Sequence, residues 1–157
     1  ATPRATLTLM IELTKPLAPP YDRLHPWREG DTLTHLDGRP VEDVLDLYYY
    51  QPAGADMRLT VQRADGADVA VTLPAEALDA LTGTFAPLDF KTCACRCVFC
   101  FIDQNPKGMR DRVYVKDEDY RLSFLYGNYI TLTSLGKKGI ARVIEQKMSP
   151  LFVSTST

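Results

Sequence analysis

The sequence predicts an α+β domain followed by the opening units of an α/β fold with parallel strands. Three observations carry that expectation. In the first half, short segments with apolar residues at period two are bounded by Gly-Asp and Asp-Gly turns. At the start of the second half, Cys93, Cys95, Cys97 and Cys100, the only cysteines of the chain, crowd into one short stretch. Beyond them the pattern reads strand, loop, strand, helix, strand, an order that implies parallel strands joined by a crossover helix.

The first half reads as follows. Residues 6–13 place Leu7, Leu9, Ile11 and Leu13 on one face, as in a half-buried strand. Residues 15–26 carry Pro16, Pro19, Pro20 and Pro26 and predict an irregular loop. A Gly30-Asp31 turn, a short strand and an Asp37-Gly38 turn come next. A helix is expected to start with Pro40 near its first position and with Glu42 and Asp43 in its first turn, where acids suit the helix dipole. Val41, Val44, Leu45 and Tyr48 would form its apolar face. Pro52 and Gly54 break it. Residues 57–63 and 68–73 then alternate as an antiparallel pair around Ala64-Asp65-Gly66-Ala67, residues 75–81 suit a short helix, and 83–87 read as a linker. The expected division is a domain at 1–84 and a second at 85–157.

In the second half, residues 88–90 predict a short strand leading into the cysteines. A charged segment follows at 110–121. Residues 122–125 and 129–132 read as strands on either side of Gly127-Asn128, and 139–148 read as an amphipathic helix carrying Ile140, Val143, Ile144 and Lys147 on one face. Pro150 ends that helix and residues 151–153 begin another strand. Both ends of the chain read as cuts in a longer protein.

Composition narrows the function classes. Hydrophobic residues make up 45% and charged residues 24% of the chain, as in a folded globular protein. With 18 basic against 20 acidic residues, the net charge of −2 gives no basic field for nucleic acid or an anionic membrane. No apolar run approaches the roughly 20 residues of a spanning helix, and no signal peptide is evident. Cysteines gathered in one loop do not make a secreted disulfide framework, which spaces them to staple distant loops; a reducing cytoplasm is the expected location.

The cysteine loop supports three readings from its residues alone. A structural zinc site needs four tetrahedral ligands; Cys97 and Cys100 make one knuckle, but Cys93 and Cys95 make a poor second. Free thiols are a second reading, although cysteines so dense rarely serve packing. The third is an iron–sulfur cluster, in which three thiolates on a short loop leave one iron open.

Two resemblances bear on these readings. The stretch REGDTLTHLDGRPVEDVLDL, within roughly residues 28–73, resembles a bacterial PDZ domain, which implies a peptide or protein ligand taken up by strand addition. Where such domains place a glycine-rich carboxylate-binding loop, this chain has the bulky, proline-rich 15–27. The spacing Cys93-x3-Cys97-x2-Cys100, with Phe99 before the last cysteine, resembles the signature of the radical S-adenosylmethionine (radical SAM) superfamily. CRCVFCFIDQNPKGMR, DEDYRLSFLYGNYITLTSL and MSPLFVS together resemble a subfamily with an N-terminal PDZ domain, a radical SAM core and a C-terminal domain of unknown function.

That resemblance implies a PDZ-like domain followed by the first units of an incomplete (β/α)6 radical SAM partial barrel, an N-terminal portion expected to be inactive alone. It implies a 4Fe-4S cluster on Cys93, Cys97 and Cys100, and S-adenosylmethionine chelating the open iron. One-electron cleavage of the sulfonium would yield a 5′-deoxyadenosyl radical that abstracts hydrogen from a substrate the sequence does not name. Phe99 would lie beside the adenine, and Gly127, Asn128 and Tyr129 would meet the methionine amine, glycine allowing close backbone approach. The alternative from another class is a non-catalytic PDZ-like binding module with a structural zinc loop.

The chain departs from the subfamily pattern at Cys95, where asparagine is expected, at Asn105, where leucine is expected, and at residues 154–157, which replace a Ser-Val-His-Ala-like run. Lys107, Arg110 and the run 116–119 read as solvated charges. Asp103 and Gln104 suit either hydrogen bonding around the cysteines or a helix cap. His25 and His35 are assigned no chemistry. Tyr48, Tyr49 and Tyr50 are expected to cover a helix face.

Overall fold

The computed structural model describes residues 11–24, 27–51 and 53–154. The expected strand residues Leu7 and Leu9, together with His25, Pro26, Pro52 and residues 155–157, lie outside the described residues. The chain divides into two compact units, 1–88 and 89–157.

The first unit is built on an antiparallel sheet. Strands β1 (Ile11–Glu12), β2 (Thr32–Leu36), β4 (Met57–Gln62) and β5 (Asp68–Leu73) lie in that order, and β3 (Arg39–Pro40) pairs with β2 across the Asp37-Gly38 turn. The expected alternation is present: Met57, Leu59 and Val61 of β4 and Val71 and Leu73 of β5 are buried, while Arg58 and Thr72 between them face out. Ile11, Leu13, Leu33, Leu36 and Trp27 complete the core. Each such buried side chain contributes about 1.5–3 kcal/mol. The Gly30-Asp31 turn holds through Asp31, whose buried carboxylate accepts from the N–H of Arg28 (2.8 Å), with Gly30 left-handed at φ 88°.

Three expectations in this unit are corrected. Pro40 does not open a helix, because it belongs to β3. Helix α1 spans Val44–Tyr50, and Asp43 is its N-cap, accepting from Leu45 N–H at 3.0 Å. Of the expected apolar face, Val41 and Leu45 are buried, but Tyr48 is half exposed like Tyr49, and Leu47 and Tyr50 pack on the core in its place. Residues 83–87 are no free linker either: Thr84 is buried and bonds Thr14, Ala86 N–H donates to Glu12 O (3.0 Å), and Phe85 packs on the core. Just before it, a 3-10 turn at Ala75–Ala77 runs into helix α2 (Leu78–Thr82), the expected short helix.

The second unit contains helix α3 (Tyr120–Tyr126), strand β6 (Tyr129–Ile130), helix α4 (Lys137–Glu145) and strand β7 (Phe152–Val153). Strands β6 and β7 pair in parallel, Tyr129 with Phe152 and Ile130 with Val153, with α4 as the crossover. The parallel unit expected from the element order is therefore present. Two expected strands are not. Residues 88–90 are irregular, and residues 122–125 are helical. Asp119 caps the N-terminus of α3 by accepting from Arg121 N–H, and Gly127, left-handed at φ 75°, ends it. These caps outweigh the strand-like apolar run between them. Helix α4 starts and stops earlier than expected, and its apolar residues Ile140 and Ile144 are exposed. Among the described residues, no helix is long and apolar enough to cross a membrane.

Candidate metal centre

The cysteines occupy a long irregular loop with a tied neck. Cys93 N–H donates to Lys116 O (2.7 Å) and Glu118 N–H donates to Lys91 O (2.9 Å), so Thr92 and Asp117 face each other as an antiparallel bridge. Inside the loop, Cys100 N–H donates to Cys97 O (3.0 Å) and Gln104 N–H to Cys100 O (3.2 Å), a tight turn around the last two cysteines. Asn105 donates through its amide to Val113 O (2.8 Å), and the Tyr114 hydroxyl ties Pro106 O to Met109 N–H. Asn105, a departure from the expected leucine, therefore has a structural use in closing the loop.

All four thiols are free; Cys97 is exposed and the others are partly buried. Cys95 N–H holds the Cys93 thiol down, but partial burial, the neighbouring Cys95 thiol and the Glu118 carboxylate outweigh it and raise Cys93 above its ordinary pKa. Lys116 pairs with Asp103; this contact holds the Asp103 carboxyl below its usual range and raises Lys116. Both groups lie near Cys100, so a cation and its partner stand beside the loop's sulfurs. Among the described residues, no three Cys, His, Asp or Glu side chains converge as a metal-ligand group. The chemistry of the donor set nevertheless fits a soft metal centre, with unoxidised thiols on one solvent-reachable loop.

The acidic run behind the neck is not solvated, contrary to expectation. Asp117, Glu118 and Asp119 each hold a different part of the unit. Asp117 accepts from the Asn128 amide (2.6 Å). Glu118, 4% exposed, accepts from both the N–H and the hydroxyl of Thr131, and its carbonyl accepts from Ser134 (2.8 Å). Asp119, fully buried, accepts from Lys91 N–H (3.0 Å) and from the Arg121 guanidinium, which also donates to Asp89 O (2.7 Å). The run thus joins the entry to the cysteine loop, the start of α3 and the segment after β6. A charge-rich tetrapeptide gives no sign of this, because its partners lie far along the chain.

Gly127, Asn128 and Tyr129 come next to this junction. Asn128 reaches the neck through Asp117, one bridge away from Thr92 and hence from Cys93. Gly127 has two local reasons to be glycine: its left-handed φ, and the Phe152 ring, which a Cβ would meet at 3.4 Å. Tyr129 is mostly exposed, its ring edge-on to Phe152 with centroids 6.0 Å apart. Phe99 is exposed on the cysteine loop, as are Val98 and Phe101 beside it. Lys107 and Arg110 are exposed, as expected. His35 lies on β2 with Nδ1 3.0 Å from the Thr34 hydroxyl.

A parallel β-α-β unit follows the Cys-x3-Cys-x2-Cys loop. A family model described as the radical SAM-like domain matches residues 79–157, and the chain belongs to that family. No curated protein and no solved structure matches it.

Proposed function

We propose that the second unit is part of a radical SAM core in which Cys93, Cys97 and Cys100 hold a 4Fe-4S cluster. Such a cluster, when bound, supplies one electron to S-adenosylmethionine chelated at its open iron. The chain's own contribution is to present three thiolates on a loop whose ends are tied, and to bring the backbone of Gly127-Asn128-Tyr129 toward the cofactor's amine, with Phe99 against its adenine. The observation that carries the reading is the junction in which Asp117 bridges Thr92 and accepts from Asn128. It links the cysteine loop to the segment after α3 by a short hydrogen-bonded path. Four free thiols suit a reducing cytoplasm.

A PDZ-like first domain, followed by a second that carries the first units of a (β/α)6 partial barrel, completes the reading. The antiparallel sheet, the β2–β3 hairpin and helix α1 support a PDZ-like module that takes a peptide or protein segment.

Anaerobic reconstitution with iron and sulfide tests the proposal. About four irons per chain, in the Mössbauer signature of a cubane, are expected. Stoichiometric zinc with no iron would replace the reading by a zinc-stapled binding module.

A further inference from the structure

We propose that Thr133, oriented by Glu118 through Thr131, holds Cys95 out of the ligand set, so that the loop offers three thiolates and not four. The inference rests on the cluster reading above. Four chemically identical thiols sit on one short loop. Something other than residue type must therefore select the ligands.

The hydrogen-bond chain behind Cys95 supplies the selection. A carboxylate only accepts. The Thr131 hydroxyl donates to Glu118 Oε1 at 3.0 Å, which commits its one hydrogen. The contact between the Thr131 and Thr133 hydroxyls, also 3.0 Å, must then be donated by Thr133. With that hydrogen committed, Thr133 meets Cys95 with a lone pair only, and the Cys95 S–H donates to it at 3.7 Å. Every hydrogen in the chain points toward the carboxylate. Its far end welcomes a thiol and opposes a metal-bound sulfur, which has no hydrogen to give. The direction is anchored, because Glu118 is buried and its backbone carbonyl is bonded to Ser134. Thr133 and Glu118 are thus positioning residues that act on cluster ligation through Cys95.

The test uses the full chain, reconstituted anaerobically and read by iron content and electron paramagnetic resonance (EPR). The wild type must first load a cluster; if it does not, the cluster reading fails, and this inference with it. Given loading, Cys93→Ala should lower iron by about tenfold or more, because Cys95 is held away. Adding Thr133→Val to Cys93→Ala should restore several-fold more iron, whereas Thr133→Ser, which keeps the hydroxyl, should not. A gain of this kind does not arise from loss of structure. Glu118→Gln, which sets a donor where two donors already point, offers the same release should Thr133→Val alone prevent loading. The proposal is overturned if Cys93→Ala by itself retains the wild-type cluster. It is equally overturned if neither double variant loads more iron than Cys93→Ala.

Discussion

The guanidinium of Arg121 closes on both oxygens of the Asp119 carboxylate, Nε at 2.9 Å and Nη2 at 2.6 Å, and both side chains are buried. The same carboxylate caps helix α3 and accepts from Lys91 N–H at the entry to the cysteine loop. Removing Asp119 strands a buried cation and frees the loop entry together. Asp119→Ala should cost roughly 3–5 kcal/mol, the usual range for breaking a buried pair. Urea unfolding followed by circular dichroism measures it; a loss below about 1 kcal/mol would mean that the pair is solvated.

The pH dependence follows from the same group. Burial pushes the Asp119 carboxyl up, but the hydrogen bonds from Arg121 and Lys91 outweigh it and leave it below the ordinary value. Its contribution is therefore complete above the unfolded value, about 3.9, and is lost as pH falls through the lower folded value. Thermal stability of the wild type should drop across that acid window. Asp119→Asn should flatten the drop, and an unchanged slope in that variant would place the acid sensitivity elsewhere.

Helix α3 also shows what the sequence displayed and what it hid. Leu122 to Leu125 form a short, mostly apolar run that reads as a strand, and seven helical residues are too few for a helical period to compete. Asp119 and Gly127, spaced as an N-cap and a left-handed C-terminal glycine, were visible signals for the opposite choice. The cysteine loop was legible because its chemistry is contiguous. Glu118 was not, because its partners Thr131 and Ser134 lie 13 and 16 residues away, and an acidic run looks the same whether buried or solvated. In the first unit the β4–β5 pair was readable from alternation alone. The start of α1 was not, since Asp43 takes the cap while Pro40 pairs in β3.

The unequal burial along α1 has a direct consequence. Leu47 is fully buried whereas Tyr48 is 50% exposed. Leu47→Ala should cost about 2–5 kcal/mol, and Tyr48→Ala should stay within about 0.5 kcal/mol of wild type. Equal losses in chemical denaturation would restore the face that includes Tyr48.

Gly127 ends α3 at positive φ with the Phe152 ring against it. Gly127→Ala should destabilise by about 1–2 kcal/mol from the left-handed backbone alone. Gly127→Asn should cost less on the backbone account, because asparagine tolerates that conformation. Thermal melts of the two variants distinguish backbone strain from crowding: crowding against Phe152 predicts that asparagine is the worse of the two.

The central claim is a cluster held by three thiolates, Cys93, Cys97 and Cys100, with one iron open. The most direct measurement is the EPR spectrum of the reduced, reconstituted chain with and without S-adenosylmethionine, in the wild type and in Cys95→Ala. The account predicts a cluster signal in both proteins whose g values shift when S-adenosylmethionine is added. A signal that does not respond in the wild type, or that disappears in Cys95→Ala, would show that the fourth cysteine closes the cluster and would contradict the account.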